Sequence, residues 1–159
     1  MGVAEVSNVL WREREQLELL LFKLEEEQLV LASGRARWLP HATREVEVVL
    51  EQLRTSELLR AVEVDSYAES LGLGANPSLT ELSQASPDPW RELLLAHRTG
   101  LLELTTEIAA ISRANSEVIV TAQRAAHESL LALSGTHDTY APTGRAASPA
   151  RAHLIDRAL

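Results

Sequence analysis

Stepping alternately four and three residues from Trp90 traces Trp90, Leu94, His97, Leu101, Leu104, Ile108, Ile111, Asn115, Val118, Ala122, Ala125, Ser129 and Ala132. Apolar residues dominate this seam for several heptads, the pattern of one long helix with a single sticky stripe. Asp88 can cap the first N–H groups, and Pro89 suits the first helical position, where a missing donor costs nothing. Ser134-Gly135 predicts the end. A helix of about 45 residues at 1.5 Å each spans roughly 67 Å, and something must cover its stripe.

Two shorter segments precede it. The first, about 3–33, places Val6, Leu10, Leu17, Leu20, Leu24 and Leu31 at heptad spacing, with Glu13 and Gln28 at the remaining seam positions. Trp11, Leu21 and Phe22 widen its apolar face, as expected of a helix with two neighbours. Glu25, Glu26 and Glu27 read as a solvated face. Ser33-Gly34 breaks the helix and the pattern resumes at once, which predicts a helical hairpin. The second segment, about 37–71, offers Leu39, Ala42, Val46, Val49, Leu53, Ala61, Val64, Ala68 and Leu71 to the core. Pro40 requires its regular helix to begin near Trp38 or Leu39.

Residues 72–88 form an irregular connector rich in Gly, Pro, Ser and Asn. Within it Ser78-Leu79-Thr80-Glu81 fits a capping box, so a short helix over about Leu79–Ala85 is predicted. The expected fold is all-α: an elongated three-helix bundle or coiled coil over residues 1–135. Residues 136–159, with Pro142, Gly144 and Pro149 and no periodicity, are expected to be a disordered tail.

Composition narrows the function classes. Aromatics make up 4% of 159 residues, which disfavours sheets. With no cysteine there is no thiolate chemistry. A net charge of −8 argues against nucleic-acid or anionic-membrane surfaces. Of the 15 basic residues, only Lys23 is lysine. No apolar run reaches membrane-spanning length and no signal-peptide pattern opens the chain, so a cytoplasmic protein is expected.

Candidate chemistry is sparse. None of His41, His97, His127, His137 and His153 is three or four residues from another, so no helical metal pair forms. His41 and Glu45 share a face and read as a surface contact. His97 and Asn115 interrupt the long seam and read as register-fixing buried polar residues. No phosphate loop and no nucleophile-elbow motif is present. No catalytic residue, metal or cofactor is expected.

Length then suggests a role. The first two helices, at roughly 45 and 50 Å, are shorter than the third. Its last turns therefore offer an apolar face for an amphipathic partner: Val118, Ile119, Ala122, Ala126, Leu130 and Leu133. Tyr140, with Leu154 and Ile155 as weaker candidates, is a second expected contact.

The order and spacing of several short stretches resemble the FlgN-type flagellar export chaperones. They are Leu24-Glu25-Glu26-Glu27-Gln28 followed by Gly34, Leu71-Gly72-Leu73, and Ser78-Leu79-Thr80-Glu81-Leu82. Further on come Asn115, Arg124, Leu130 to Leu133, and Tyr140 with Gly144. The stretch Ser112-Arg113-Ala114-Asn115 departs from the family pattern, with one Asn where a polar pair is expected. The resemblance implies a non-catalytic secretion chaperone that binds unassembled hook–filament junction proteins. It would deliver them to the type III export gate and its ATPase components, with Tyr140 contacting the gate. A monomer is the expected free state. The alternative is a structural coiled-coil adaptor that homodimerises through the third helix.

Overall fold

The computed structural model describes residues 2–138, which form helices and their connections. The long helices are α1 (Val3–Ala32), α2 (Leu39–Ser70) and α4 (Trp90–Asp138), with a 3₁₀ turn at Ala36–Trp38 and a short α3 (Leu79–Ala85). The chain divides into two units, residues 1–120 and 121–159.

In the first unit α1 and α2 form the predicted hairpin. Gly34, at φ 67°, adopts the left-handed conformation that ends α1, and Ser33 Oγ donates to the Val30 carbonyl at 2.8 Å. α2 closes in the same way with two reversed bonds, Leu73 N–H to Ala68 O at 2.9 Å and Gly72 N–H to Glu69 O at 3.0 Å. Gly72 supplies the positive φ (70°) that this closure needs. Pro40 falls in the first turn of α2, where it breaks no bond.

The connector is tied down at several points. Ser78 Oγ accepts from the Glu81 N–H at 3.2 Å while Glu81 Oε2 accepts from the Ser78 N–H at 2.8 Å, the capping box read from sequence. Asp65 Oδ1 accepts from the Asn76 N–H at 2.6 Å. Buried Ser86 donates to the Leu82 carbonyl and accepts from the Tyr67 hydroxyl at 3.0 Å, fastening the connector to α2.

Cross-helix bonds give the directions. Lys23 with Glu45 and Glu13 with Arg60 set α2 antiparallel to α1. Ser7 with His97 and Leu24 with Asn115 set α4 parallel to α1, so the connector brings the chain back to the end at which α1 began. The core joins Val6, Leu10, Leu17, Leu20 and Leu24 of α1 to Val46, Val49, Leu53 and Val64 of α2 and to Leu94 and Leu101 of α4. Leu104, Ile108 and Ile111 pack against it, half-buried.

Several expectations are corrected. The α1 seam passes through buried Glu27, not exposed Gln28, and Glu27 is therefore not part of a solvated acidic face. Glu27 stands seven residues beyond Leu20, on the strict heptad that Gln28 misses by one, and is held inside by donors on both neighbouring helices. In α2, Ala61 is exposed while Ser56 and Tyr67 are buried. Arg60 and Tyr67 turn that stretch by reaching Glu13 and Ser86. Phe22 is exposed, its ring under the Lys23 ammonium. Trp11 is also exposed, and it sits edge-on to His97 while the Arg14 guanidinium lies over its ring. At the start of α4, Asp88 pairs with Arg91 at 3.9 Å, and Pro89 precedes the helix, its carbonyl accepting the Leu93 N–H.

In the second unit the described residues continue α4 through Asp138, past the predicted stop at Ser134-Gly135. Gly135 is not among the glycines with positive φ, and Ser134 Oγ bonds back to the Leu130 carbonyl at 2.9 Å. A glycine ends a helix through a left-handed turn such as that of Gly72, and Gly135 does not adopt one. The expected tail, with Tyr140, Leu154 and Ile155, lies outside the described residues from 139 onward.

Candidate partner-binding surface

α4 carries one apolar stripe with two environments. Leu94, His97 and Asn115 are fully buried, and Leu101 nearly so. His97 Nε2 lies 3.2 Å from Ser7 Oγ, while Nδ1 has no hydrogen-bond partner among the described residues. Burial, reinforced by Arg14, pushes the His97 pKa below its usual value, so the ring is neutral at pH 7. Three residues on, the Arg14 guanidinium crosses Gly100 so closely that a Cβ there would stand 2.7 Å from it.

At the other end of this buried span Asn115 Nδ2 donates to the Leu24 carbonyl at 2.9 Å and to Glu27 Oε1 at 3.0 Å. Glu27 Oε2 in turn accepts from Thr43 Oγ1 at 3.1 Å, so one buried network crosses α4, α1 and α2. The register roles expected for His97 and Asn115 correspond to these contacts. Glu13 is a further buried polar group: burial pushes its carboxyl pKa up against the pull of Arg60, 2.8 Å away.

Beyond Asn115 the same four-and-three step continues, but the surroundings change. In the first unit Val118 is exposed and Ile119 half-buried. In the second, every residue from Thr121 to Gly135 is exposed, including Ala122, Ala126, Leu130 and Leu133. By helical spacing these apolar and small residues share one side of α4, while Arg124, His127 and Glu128 fall on the other. Small side chains at Ala122, Ala125, Ala126 and Ser129 leave a shallow surface that a partner helix could approach closely. Val120 and Leu131, also exposed, fall on the opposite side by the same spacing. Their spacing does not match the seam.

Among the described residues no helix is long and apolar enough to cross a membrane, and no three His, Asp or Glu side chains cluster as a metal site.

The family model described as FlgN protein matches residues 1–148. The chain belongs to the FlgN family. That family is one of flagellar export chaperones, and membership gives this FlgN-family chain that broad role and flagellar proteins as its partners. No curated protein and no solved structure matches it. The match includes the buried Asn115 network and the exposed turns that follow it.

Proposed function

We propose that this chain is a non-catalytic cytoplasmic chaperone that binds unassembled hook–filament junction proteins and delivers them to the type III export gate. The carrying observation is the exposure of the α4 stripe at Val118, Ala122, Ala126, Leu130 and Leu133, after the same stripe has been buried from Leu94 to Asn115. An amphipathic helix from a client would lay its apolar face on that side, with anchors at helical spacing. Ile119, half-buried, forms the edge of the surface nearest the core. Nothing in this reading requires a bond to be made or broken. Tyr140 is assigned to the gate-docking step, with Leu154 and Ile155 as further contacts.

The test uses purified chaperone and a terminal helical segment of a junction protein. Ala122→Glu with Leu130→Glu abolishes binding and leaves the melting temperature within a few degrees of wild type, because both positions are exposed. Ile119→Glu adds to the loss, with some cost in stability. Retained binding in the double variant refutes the assignment. Tyr140→Ala keeps client affinity within about 0.5 kcal/mol, as a surface change does, and lowers docking to the gate. Unchanged secretion of junction proteins in that variant overturns the role given to Tyr140.

A further inference from the structure

The first unit carries an unusual surface at the closed end of its hairpin, away from the α4 stripe in sequence. No acidic residue occurs between Glu27 and Glu45, the longest acid-free run among the described residues of a chain with net charge −8. That run holds Arg35, Arg37, His41 and Arg44, all exposed. Trp38 joins two of them: the Arg37 guanidinium lies 4.7 Å over its ring and the His41 ring is 5.7 Å away.

Beside this cluster a groove of about 460 Å³ runs between α1 and α2, with Leu19, Val48 and Val49 as apolar lining and His41, Arg44, Glu45 and Lys23 around them. Leu19 and Val48 are 41% and 50% exposed, so the lining is open to a ligand. Lys23 and Glu45 neutralise one another at 3.0 Å, and Lys23 also holds Glu26 at 3.1 Å. No salt bridge ties Arg35, Arg37 or Arg44 to a carboxylate among the described residues, which leaves their charge outward.

Helix stability does not account for this charge. The C-terminus of α1 favours a cation such as Arg35, but the beginning of α2 favours anions, and its first turn contains none. His41 and Arg44 therefore stand where the α2 dipole gains nothing from them. Basic side chains around an apolar slot, with an aromatic ring at its rim, suit an acidic segment bearing apolar residues. The concave, apolar lining favours a protein segment over a bilayer, and the acidic remainder of the chain repels anionic lipid.

We infer that the hairpin end formed by Arg35, Arg37, Trp38, His41 and Arg44, with the Leu19–Val48–Val49 groove, docks an acidic, amphipathic protein segment, independently of the α4 face. The probe is a short synthetic peptide with Leu on one helical face and Glu elsewhere. Controls are its Lys-for-Glu and Ser-for-Leu counterparts and vesicles of phosphatidylserine with phosphatidylcholine. The Glu–Leu peptide binds the full chain saturably, shifts amide resonances at residues 19–23 and 35–52, and loses affinity as salt rises. Arg35→Glu, Arg37→Glu and Arg44→Glu together weaken it at least about tenfold, and Val48→Asp weakens it separately. All four positions are exposed, so an unchanged melting temperature accompanies both losses. Leu130→Glu leaves the peptide bound, which separates this surface from the client face. Absent saturable binding, equal binding by the triple variant, shifts confined to α4, or binding of vesicles but not peptide would each overturn the inference.

Discussion

The two halves of α4 have similar sequence patterns and opposite surroundings. From Leu94 to Asn115 the inward positions alternate large aliphatic groups with two polar residues, and each polar residue meets a partner on α1. From Val118 to Gly135 the inward step passes through Ala, Ser and Leu and meets solvent. Helical periodicity is the same in both. What differs is whether another of the described helices lies against the stripe, and that decides whether an apolar residue contributes stability or a binding surface.

Truncation of a side chain tests this contrast most strongly. Leu94→Ala, at a fully buried position, is expected to cost about 2–5 kcal/mol by chemical denaturation. Leu104→Ala, half-buried, falls at the low end of the same range. A loss below about 0.5 kcal/mol at Leu94 would place it outside the core.

The polar end of the buried half comes next. Asn115→Ala removes both donors from Glu27 and the Leu24 carbonyl, leaving Thr43 as the one remaining partner of the buried carboxylate. The expected cost is about 1–3 kcal/mol. Glu27→Gln with Asn115→Ala should then cost less than the sum of the two single changes, because the residues share one network.

A smaller effect tests the buried half by pH. His97 has a lowered folded-state pKa, so the unfolded chain takes up its proton first as pH falls. The contribution of the neutral ring is complete above about 6.5, the ordinary histidine value, and is lost progressively below it toward the folded pKa. Stability measured from about pH 7.5 to about 5.5 should fall, and His97→Gln should flatten that slope. Glu13 acts in the opposite sense, since its raised pKa favours folding as pH falls through its folded value.

The smallest expected effect completes the comparison. Leu130→Ala should change stability by no more than about 0.5 kcal/mol, despite being the same chemical truncation as at Leu94. A large loss at Leu130 would mean that its face is already covered in the free protein. Light scattering at micromolar concentration would then distinguish a homodimer from a monomer, and a homodimer would favour the adaptor alternative.

Much of this architecture follows from local chemistry. The hairpin at Ser33-Gly34, the α2 stop at Gly72, the first-turn position of Pro40 and the Ser78–Glu81 box are determined by residues within a few positions of one another. The long stripe of α4 is likewise set by spacing alone. Short-range rules suffice there because each bond closes within one or two turns of backbone.

Tertiary structure decided the rest, wherever a polar group had to find a partner far along the chain. Glu27 looks like one member of an acidic run until Asn115 and Thr43 reach it, and Ser56 and Tyr67 look like surface residues until α2 turns them inward. Gly135 looks like a helix stop, yet α4 passes through it to Asp138 without the positive φ that Gly72 adopts where α2 ends. Periodicity identifies which side of a helix is apolar; only the positions of its neighbours determine where that side is buried and where it remains open to bind.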